Sequence, residues 1–184
     1  MNRTRVFILT FLLLSAAIQL WAHLEDRSSR SPSALKRGAT APSLALTGLD
    51  GGAVSLESFR GKIVILDFWA TWCAPCHAEF NVLEPWWEQQ SETGLLSDVV
   101  FIAVNVQESL KLVQNFLAKR PLPFTVLRDP DGAVAAAYQV SALPTLVIID
   151  QKGEVFDVTT GYDPTVGARL TALLNALQRE EPAP

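Results

Sequence analysis

Apolar residues occur along this chain in two patterns, one typical of buried strands and one typical of amphipathic helices. Residues 63–69 are a continuous β-branched and aromatic run bounded by turn residues, which is typical of a strand buried on both faces. The same pattern predicts strands at residues 99–104, 124–127, 144–149 and 155–159. Apolar residues at helical spacing predict helices from the cysteines to about residue 91, with a kink at Pro85, and then at 108–119 and 164–178. The apolar face of the second helix is predicted to hold Leu112, Val113, Phe116 and Leu117.

Two turn signals complete the order of elements. Asp50-Gly51-Gly52 lies between two short alternating runs, which predicts a β-hairpin before the first long strand. The turn at residues 129–132 precedes a short helix that ends near Tyr138. Because strands and helices alternate until a final hairpin and helix, we expect an α/β fold with helices on both faces of a central mixed sheet.

The N-terminus has the pattern of an export signal. Arg3 and Arg5 precede an apolar stretch over residues 6–22, so the positive flank is expected to stay in the cytoplasm and the rest to lie outside it. Leu20-Trp21-Ala22 is a poor cleavage site, which favours an uncleaved membrane anchor at 1–23 over a cleaved signal peptide. Polar residues 24–38 predict a flexible linker, and the folded domain is expected at 39–184.

The composition and charge of the chain argue against nucleic acid as its partner. The chain has 184 residues, of which 49% are hydrophobic and 18% charged, as in a globular protein with a core. The formal net charge is −4, and the basic residues are concentrated before residue 39, so the domain itself is acidic. A domain without a stripe of Lys and Arg is a poor partner for nucleic acid.

The candidate reactive residues are the only two cysteines of the chain, Cys73 and Cys76. They follow a predicted buried strand and open a predicted helix, where unpaired N–H groups and the helix dipole stabilise a thiolate. We expect Cys73 to attack a disulfide and Cys76, one turn later, to resolve the mixed disulfide. A C-x-x-C motif beside a βαβ pattern is a redox signature.

Three other uses of these cysteines are a structural disulfide, covalent haem attachment and a zinc site. A structural disulfide would close so short a loop that it would constrain the unfolded chain little. Residues 73–77 match the C-x-x-C-H motif of covalent haem attachment. In that use His77 is one axial ligand of the iron and a second is usually wanted, for which the remaining candidates are His23 and Met1. A zinc site needs four ligands, and this segment supplies three.

Two longer sequence segments resemble those of a known protein family. Residues 68–76, with the sequence FWATWCAPC, resemble the active-site segment of thioredoxin-like proteins, and residues 140–145, VSALPT, resemble their cis-proline loop. Together with the leading hairpin and the segment 105–127, they identify the chain as similar to the TlpA/ResA-type membrane-tethered thiol–disulfide oxidoreductases. The resemblance covers about residues 38–178. It implies a thioredoxin fold with an N-terminal β-hairpin and a central αβ insertion.

The resemblance also implies roles for individual residues. Cys73 corresponds to the nucleophile and Cys76 to the resolving thiol. Pro144 corresponds to the cis-proline, and the backbone of Leu143 beside it pairs with the bound substrate chain. Trp72 shapes the substrate site.

Two acidic residues complete the predicted site. Glu79 stands at the acidic position of the family pattern C-x-x-C-x-x-E and is expected to move protons at the thiols, unless it is a solvated helix carboxylate. Asp67 matches the buried carboxylate of thioredoxin, where related proteins of this branch often have Asn, and it is expected to accept the proton of Cys76. Ala142 and Asn81 also depart from the family pattern, which bears on substrate identity.

By this resemblance, the expected function is reduction of disulfides in extracytoplasmic client proteins, such as an apocytochrome c or a copper-site protein. A membrane thiol-transfer reductase would re-reduce the pair, and no cofactor or metal is expected beyond the redox-active disulfide. Alternatives are an oxidase or isomerase with the same residues, and a tethered copper-binding module. We expect a monomer. Trp86 and Trp87 are either core residues or part of a partner surface.

Overall fold

The computed structural model of the chain describes residues 35–180; the predicted anchor at 1–23 lies outside this range. Among the helices of this described part, none combines the length and the apolar character needed to span a bilayer. The strands are β1 Ala45–Gly48, β2 Ala53–Ser55, β3 Ile63–Trp69, β4 Val99–Val106, β5 Thr125–Asp129, β6 Thr145–Ile149 and β7 Val155–Thr160. The helices are α1 Ala74–Ser91, α2 Leu110–Lys119, α3 Ala133–Ala137 and α4 Val166–Glu180, and a short 3-10 helix spans Leu56–Phe59.

The seven strands form one mixed sheet in the order β2-β1-β5-β4-β3-β6-β7. β3, β4 and β5 are parallel neighbours, whereas β6 runs antiparallel to both β3 and β7. The leading hairpin joins the sheet because β1 pairs antiparallel with β5. This confirms the predicted α/β fold of the thioredoxin type, with β5 and α2 as the inserted αβ unit.

Alternation along β3 divides the core into two layers. Ile63, Ile65 and Trp69 face the layer that contains α1, α2 and α4, while Val64, Leu66 and Phe68 face the layer that contains α3. Every residue of β3 is buried, as the continuous apolar run predicts. Asp67 therefore lies on the α1 side of the sheet, beneath the cysteines.

Helix α1 continues through Pro85 to Ser91. Trp86 packs against α4, where its Nε1 donates a hydrogen bond of 2.9 Å to the Thr171 hydroxyl. The Trp87 ring packs edge-on against Phe101 and Phe124, at centroid distances of 5.7 and 5.6 Å. Both tryptophans therefore belong to the core rather than to an exposed partner surface.

Helix α2 departs from the prediction at its start and on one face. It begins at Leu110, since Ser109 caps it and accepts a hydrogen bond from the Leu112 N–H. The side chain of Leu112, predicted to be buried, is 52% exposed. At 100° per residue, Leu112 lies roughly 90° around the helix from the centre of the stripe formed by Val113, Phe116 and Leu117.

The end of the predicted linker lies along strand β7. The Gly38 N–H donates to the Val155 carbonyl at 2.8 Å, and the Val155 N–H donates to the Ala39 carbonyl at 2.8 Å. Arg37 forms an ion pair with Asp157, a carboxylate that is fully buried and also pairs with Arg169 of α4. These contacts join residues 37–39 to the sheet edge.

Candidate active site

The two cysteines form a disulfide where β3 gives way to α1, with an S–S distance of 1.99 Å. Cys73 is the N-cap of α1, and its sulfur accepts a hydrogen bond of 3.2 Å from the Cys76 N–H. Pro75 occupies the first turn, where the missing N–H costs nothing and the fixed φ favours the helix. Cys73 is 3% exposed and Cys76 is 1% exposed, so both residues of the disulfide are buried.

This position favours thiolate chemistry at Cys73. The unpaired N–H groups and the positive end of the α1 dipole are directed at the N-cap sulfur, which lowers the energy of its anionic form. A thiolate there is a nucleophile towards a disulfide and a good leaving group from one.

The predicted cis-proline, Pro144, lies in the loop opposite the cysteines. The Leu143–Pro144 peptide bond is cis, and Pro144 immediately precedes β6, whose Thr145 pairs with Phe68 of β3. The Pro144 carbonyl accepts a hydrogen bond of 2.8 Å from the Gly161 N–H. Pro144 is thereby held between the end of β7 and β3, the strand that leads to the cysteines.

An open cleft of about 500 Å³ lies beside this loop. Its walls include Trp72, Ala136, Val140 and Leu143, and none of its lining residues is charged. Trp72 is 73% exposed, the largest exposure of any bulky apolar side chain among the residues described. The structure thus brings Trp72, Leu143 and Pro144 to one end of the sheet, next to Cys73.

Two carboxyl groups lie beneath the disulfide. Asp67 is fully buried, and burial raises its pKa to about 7. Glu79 is 1% exposed, and burial, followed by the charges of Asp67 and Asp163, raises its pKa far above the ordinary carboxyl range. Within residues 35–180, no protein group donates a hydrogen bond to either oxygen of Asp67 or to Oε2 of Glu79. Glu79 is therefore a buried acid and not a solvated helix carboxylate.

Trp69 is a core residue that lies beneath the site. Its ring is fully buried and packs against Phe80 and Phe116, at centroid distances of 5.3 and 5.0 Å. His77, the third residue of the zinc alternative, packs its ring against Phe116 at 5.2 Å. The described residues contain no group of three or more His, Cys, Asp or Glu side chains placed to hold a metal ion.

Glu108 is a site residue that the sequence analysis missed. Its carboxylate accepts hydrogen bonds from the Thr71 N–H at 2.7 Å, the Thr71 hydroxyl at 2.5 Å and Asn105 Nδ2 at 2.7 Å. Thr71 is two residues before Cys73, so Glu108 positions the loop that carries the nucleophile. The available signal was Asn105 near the end of β4 and Glu108 just beyond that strand, because β3 and β4 are parallel and parallel strands end at the same edge of a sheet.

Comparisons with known proteins agree with this geometry. Residues 36–175 match the Redoxin family. The chain is 35% identical to the thiol-disulfide oxidoreductase ResA of Bacillus subtilis over 160 residues, which cover 87% of each chain. It is 40% identical to ResA of Geobacillus kaustophilus over 127 residues, covering 67% of this chain and 69% of that one.

A solved structure extends the similarity to three dimensions. The crystal structure of a thiol:disulfide interchange protein of the thioredoxin family from Chlorobium tepidum superimposes with a TM-score of 0.62 at 26% identity. The match covers 77% of this chain and 97% of that one. With the redox pair, the cis-proline loop and these relatives in agreement, the chain belongs to the Redoxin family as a thiol–disulfide oxidoreductase of the ResA type.

Proposed function

We propose that the protein works as a reductase of disulfides in extracytoplasmic client proteins. The Cys73 thiolate attacks a client disulfide, forming a mixed disulfide and releasing one client thiolate. Cys76 then loses its proton and attacks the Cys73 sulfur, which releases the second client thiolate and leaves the enzyme pair oxidised. Two electrons thereby pass from the enzyme to the client.

The observation that carries the reducing direction is the pair of buried acids behind the disulfide. A nearby carboxylate disfavours a thiolate, and an oxidant of this type is strong because its reduced form is stabilised as a thiolate. Asp67, whose pKa is about 7, opposes that stabilisation once it ionises, and the dipeptide between the cysteines, Ala74-Pro75, adds no cation. This combination supports a pair that prefers to be oxidised and so gives electrons away.

The cleft beside Leu143 favours a client segment that binds in extended conformation. Uncharged walls and an exposed Trp72 suit the apolar side chains of an unfolded segment next to its cysteine. Such a segment is what an apocytochrome c or the copper-site segment of a protein presents before it receives its haem or metal, and we propose clients of this kind.

The electrons must be replaced after each turnover. We propose that a membrane thiol-transfer reductase re-reduces Cys73–Cys76, and that residues 1–23 anchor the domain as a monomer near that donor on the extracytoplasmic face. The basic flank and the apolar run of residues 6–22 support this placement.

The reduction potential of Cys73–Cys76 tests the direction. The protein is equilibrated with glutathione buffers of known ratio, and the oxidised fraction is read after acid quench and thiol alkylation. We expect a potential near that of thioredoxin, about −270 mV, and a value near about −120 mV would make the protein a disulfide donor instead. Cys76→Ser is the matched control, because it keeps the attacking sulfur but traps the mixed disulfide.

A further inference from the structure

The cleft beside Leu143 is also lined by residues from the end of β4 and from the start of α3. They are Val106, Gln107, Gly132, Ala135 and Ala136. Among these five, Gln107 alone has a polar side chain, and it is exposed. Gln107 is therefore the group of this wall that can form a hydrogen bond with a client side chain.

The position of Gln107 is fixed by contacts of its backbone and its side chain. Its N–H donates to the Asp129 carbonyl at 2.9 Å, and its φ of 56° lies in the left-handed region, which is uncommon for residues other than glycine. Nε2 donates to the Asp131 carbonyl at 3.5 Å, and a Cβ added to Gly132 would lie 2.6 Å from this nitrogen. The amide thus lies directly over Gly132. Residues held in such sparsely populated backbone conformations cluster at ligand-binding sites.

The mixed disulfide decides which client side chain reaches the cleft. Trp72 directly precedes Cys73, and Glu108, which follows Gln107, accepts a hydrogen bond of 2.7 Å from the Thr71 N–H, so both walls are joined to the loop that carries the sulfur. In an extended segment, side chains two residues apart point to the same side and are separated by about 7 Å. The residue two positions from the client cysteine therefore faces the protein, as the cysteine does, and is placed to enter the cleft.

An uncharged aromatic side chain fits this cleft. Because no charged residue lines it, a charged client group would lose water there without gaining a partner. The carboxylate of Asp131 accepts a hydrogen bond of 3.1 Å from the Ala133 N–H and is not part of the lining. Trp72, which is 73% exposed, offers a ring for stacking, and the Gln107 amide can bond to the hydroxyl of a tyrosine.

We propose that Gln107 is a specificity-determining residue of this oxidoreductase. It selects client segments that carry an uncharged aromatic side chain, tyrosine above all, two residues from the cysteine that Cys73 attacks. That side chain packs on Trp72, and its polar end meets the Gln107 amide. The inference rests on the proposed function, since it describes the client segment of that same reaction more closely.

The test measures how fast the full-length reduced protein is oxidised by disulfide-linked dimers of a short peptide with one cysteine. The residues two positions before and after that cysteine are both Tyr, both Ala, both Lys or both Glu. Second-order rates are read by acid quench and thiol alkylation. We expect the Tyr peptide to react about tenfold faster than the other three, which is the lower end of the discrimination that a hydrophobic pocket provides.

Charge variants at Gln107 test the role of this residue. Gln107→Glu should raise the ratio of the Lys-peptide rate to the Glu-peptide rate about fivefold, the upper end for an exposed ion pair, and Gln107→Lys should lower it. Gln114→Glu adds the same charge on the exposed face of α2 and should keep the wild-type ratio. Since each ratio is taken within one protein, a general change in thiol reactivity or in folding cancels.

The outcomes separate this inference from the proposed function. Equal rates for the four peptides, a Lys or Glu peptide that reacts faster than the Tyr peptide, or a ratio that the Gln107 variants shift no more than Gln114→Glu does would each overturn the role of Gln107 and leave the proposed function intact. A reduced wild-type protein that none of the peptide disulfides oxidises would overturn both.

Discussion

Glu108 binds Thr71 twice, through the backbone N–H at 2.7 Å and through the hydroxyl at 2.5 Å, although 37 residues separate them. The contact links the end of β4 to the loop that ends in Cys73. A carboxylate that is 8% exposed and satisfied by three donors holds that loop more firmly than a turn alone would.

The first prediction concerns this contact. Glu108→Ala should destabilise the fold by about 1–3 kcal/mol, because the Thr71 N–H and Asn105 amide lose a buried acceptor. It should also slow alkylation of Cys73, since the loop loses its support. Both effects are measured, by urea unfolding and by the rate at which the reduced protein reacts with iodoacetamide.

Glu108→Gln is the matched variant. Its amide oxygen can replace Oε2, and its NH₂ group can donate to the Thr71 hydroxyl, which is able to accept. This variant should remain close to wild type. Equal losses in the Ala and Gln variants would mean that the charge, and not the hydrogen bonds, is what matters.

The second prediction concerns stability and pH. The pKa of Asp67 is raised from an ordinary 3.8 to about 7, so between these values the folded protein binds a proton that the unfolded chain has released. The free energy of unfolding should therefore fall as pH rises through this window, and Glu79, whose pKa is raised further, extends the fall to higher pH. Asp67→Asn should remove the part of that fall that Asp67 contributes, leaving the part from Glu79, and should stabilise the protein near neutral pH by a few kcal/mol, at about 1.4 kcal/mol per pKa unit.

Urea unfolding at about pH 5 and about pH 8 measures this difference. Asp98→Asn, exposed at the start of β4, is the control and should keep the wild-type pH dependence. An unchanged slope in Asp67→Asn would show that another group is responsible for it.

The third prediction concerns coupling between Asp67 and Glu79. In Asp67→Asn or Glu79→Gln, the remaining acid ionises more readily because its charged neighbour is gone. A negative charge therefore stays near Cys76 in each single variant. Removing both acids should lower the thiol pKa by more than the sum of the two single effects.

Ultraviolet thiolate absorbance of the reduced protein, titrated with base, follows this effect. The four proteins of the double-mutant cycle are titrated in parallel. Strictly additive shifts would show that the two carboxyl groups ionise independently.

The fourth prediction concerns the buried carboxylate of Asp157, which is paired with both Arg37 and Arg169. Arg37→Met should cost little, because that side chain is 69% exposed and Arg169 remains in place. Loss of both arginines would leave a buried charge without a partner, which costs about 3–5 kcal/mol. Thermal unfolding of the two single variants and the double variant measures these differences, and a double variant no worse than Arg169→Met alone would contradict the shared role.

Local patterns predicted the parts of the fold that depend on neighbouring residues. The continuous run that became β3 and the position of Cys73 at the start of α1 both follow from a strand directly preceding a helix. Glu108 escaped prediction because its role depends on Thr71, which only the pairing of β3 with β4 brings near. Leu112 was wrongly placed in the core because periodicity gives the width of an apolar stripe less reliably than its existence.

The disulfide between Cys73 and Cys76 uses both cysteines that the chain contains. The protein therefore stores a single pair of electrons and has no second thiol pair to which an incoming pair can be passed. Electron donor and electron acceptor must meet the same sulfur in alternation, each excluding the other while it is bound. Steady-state rates should then follow ping-pong kinetics, and an excess of either partner should compete for the form of the enzyme that the other one needs.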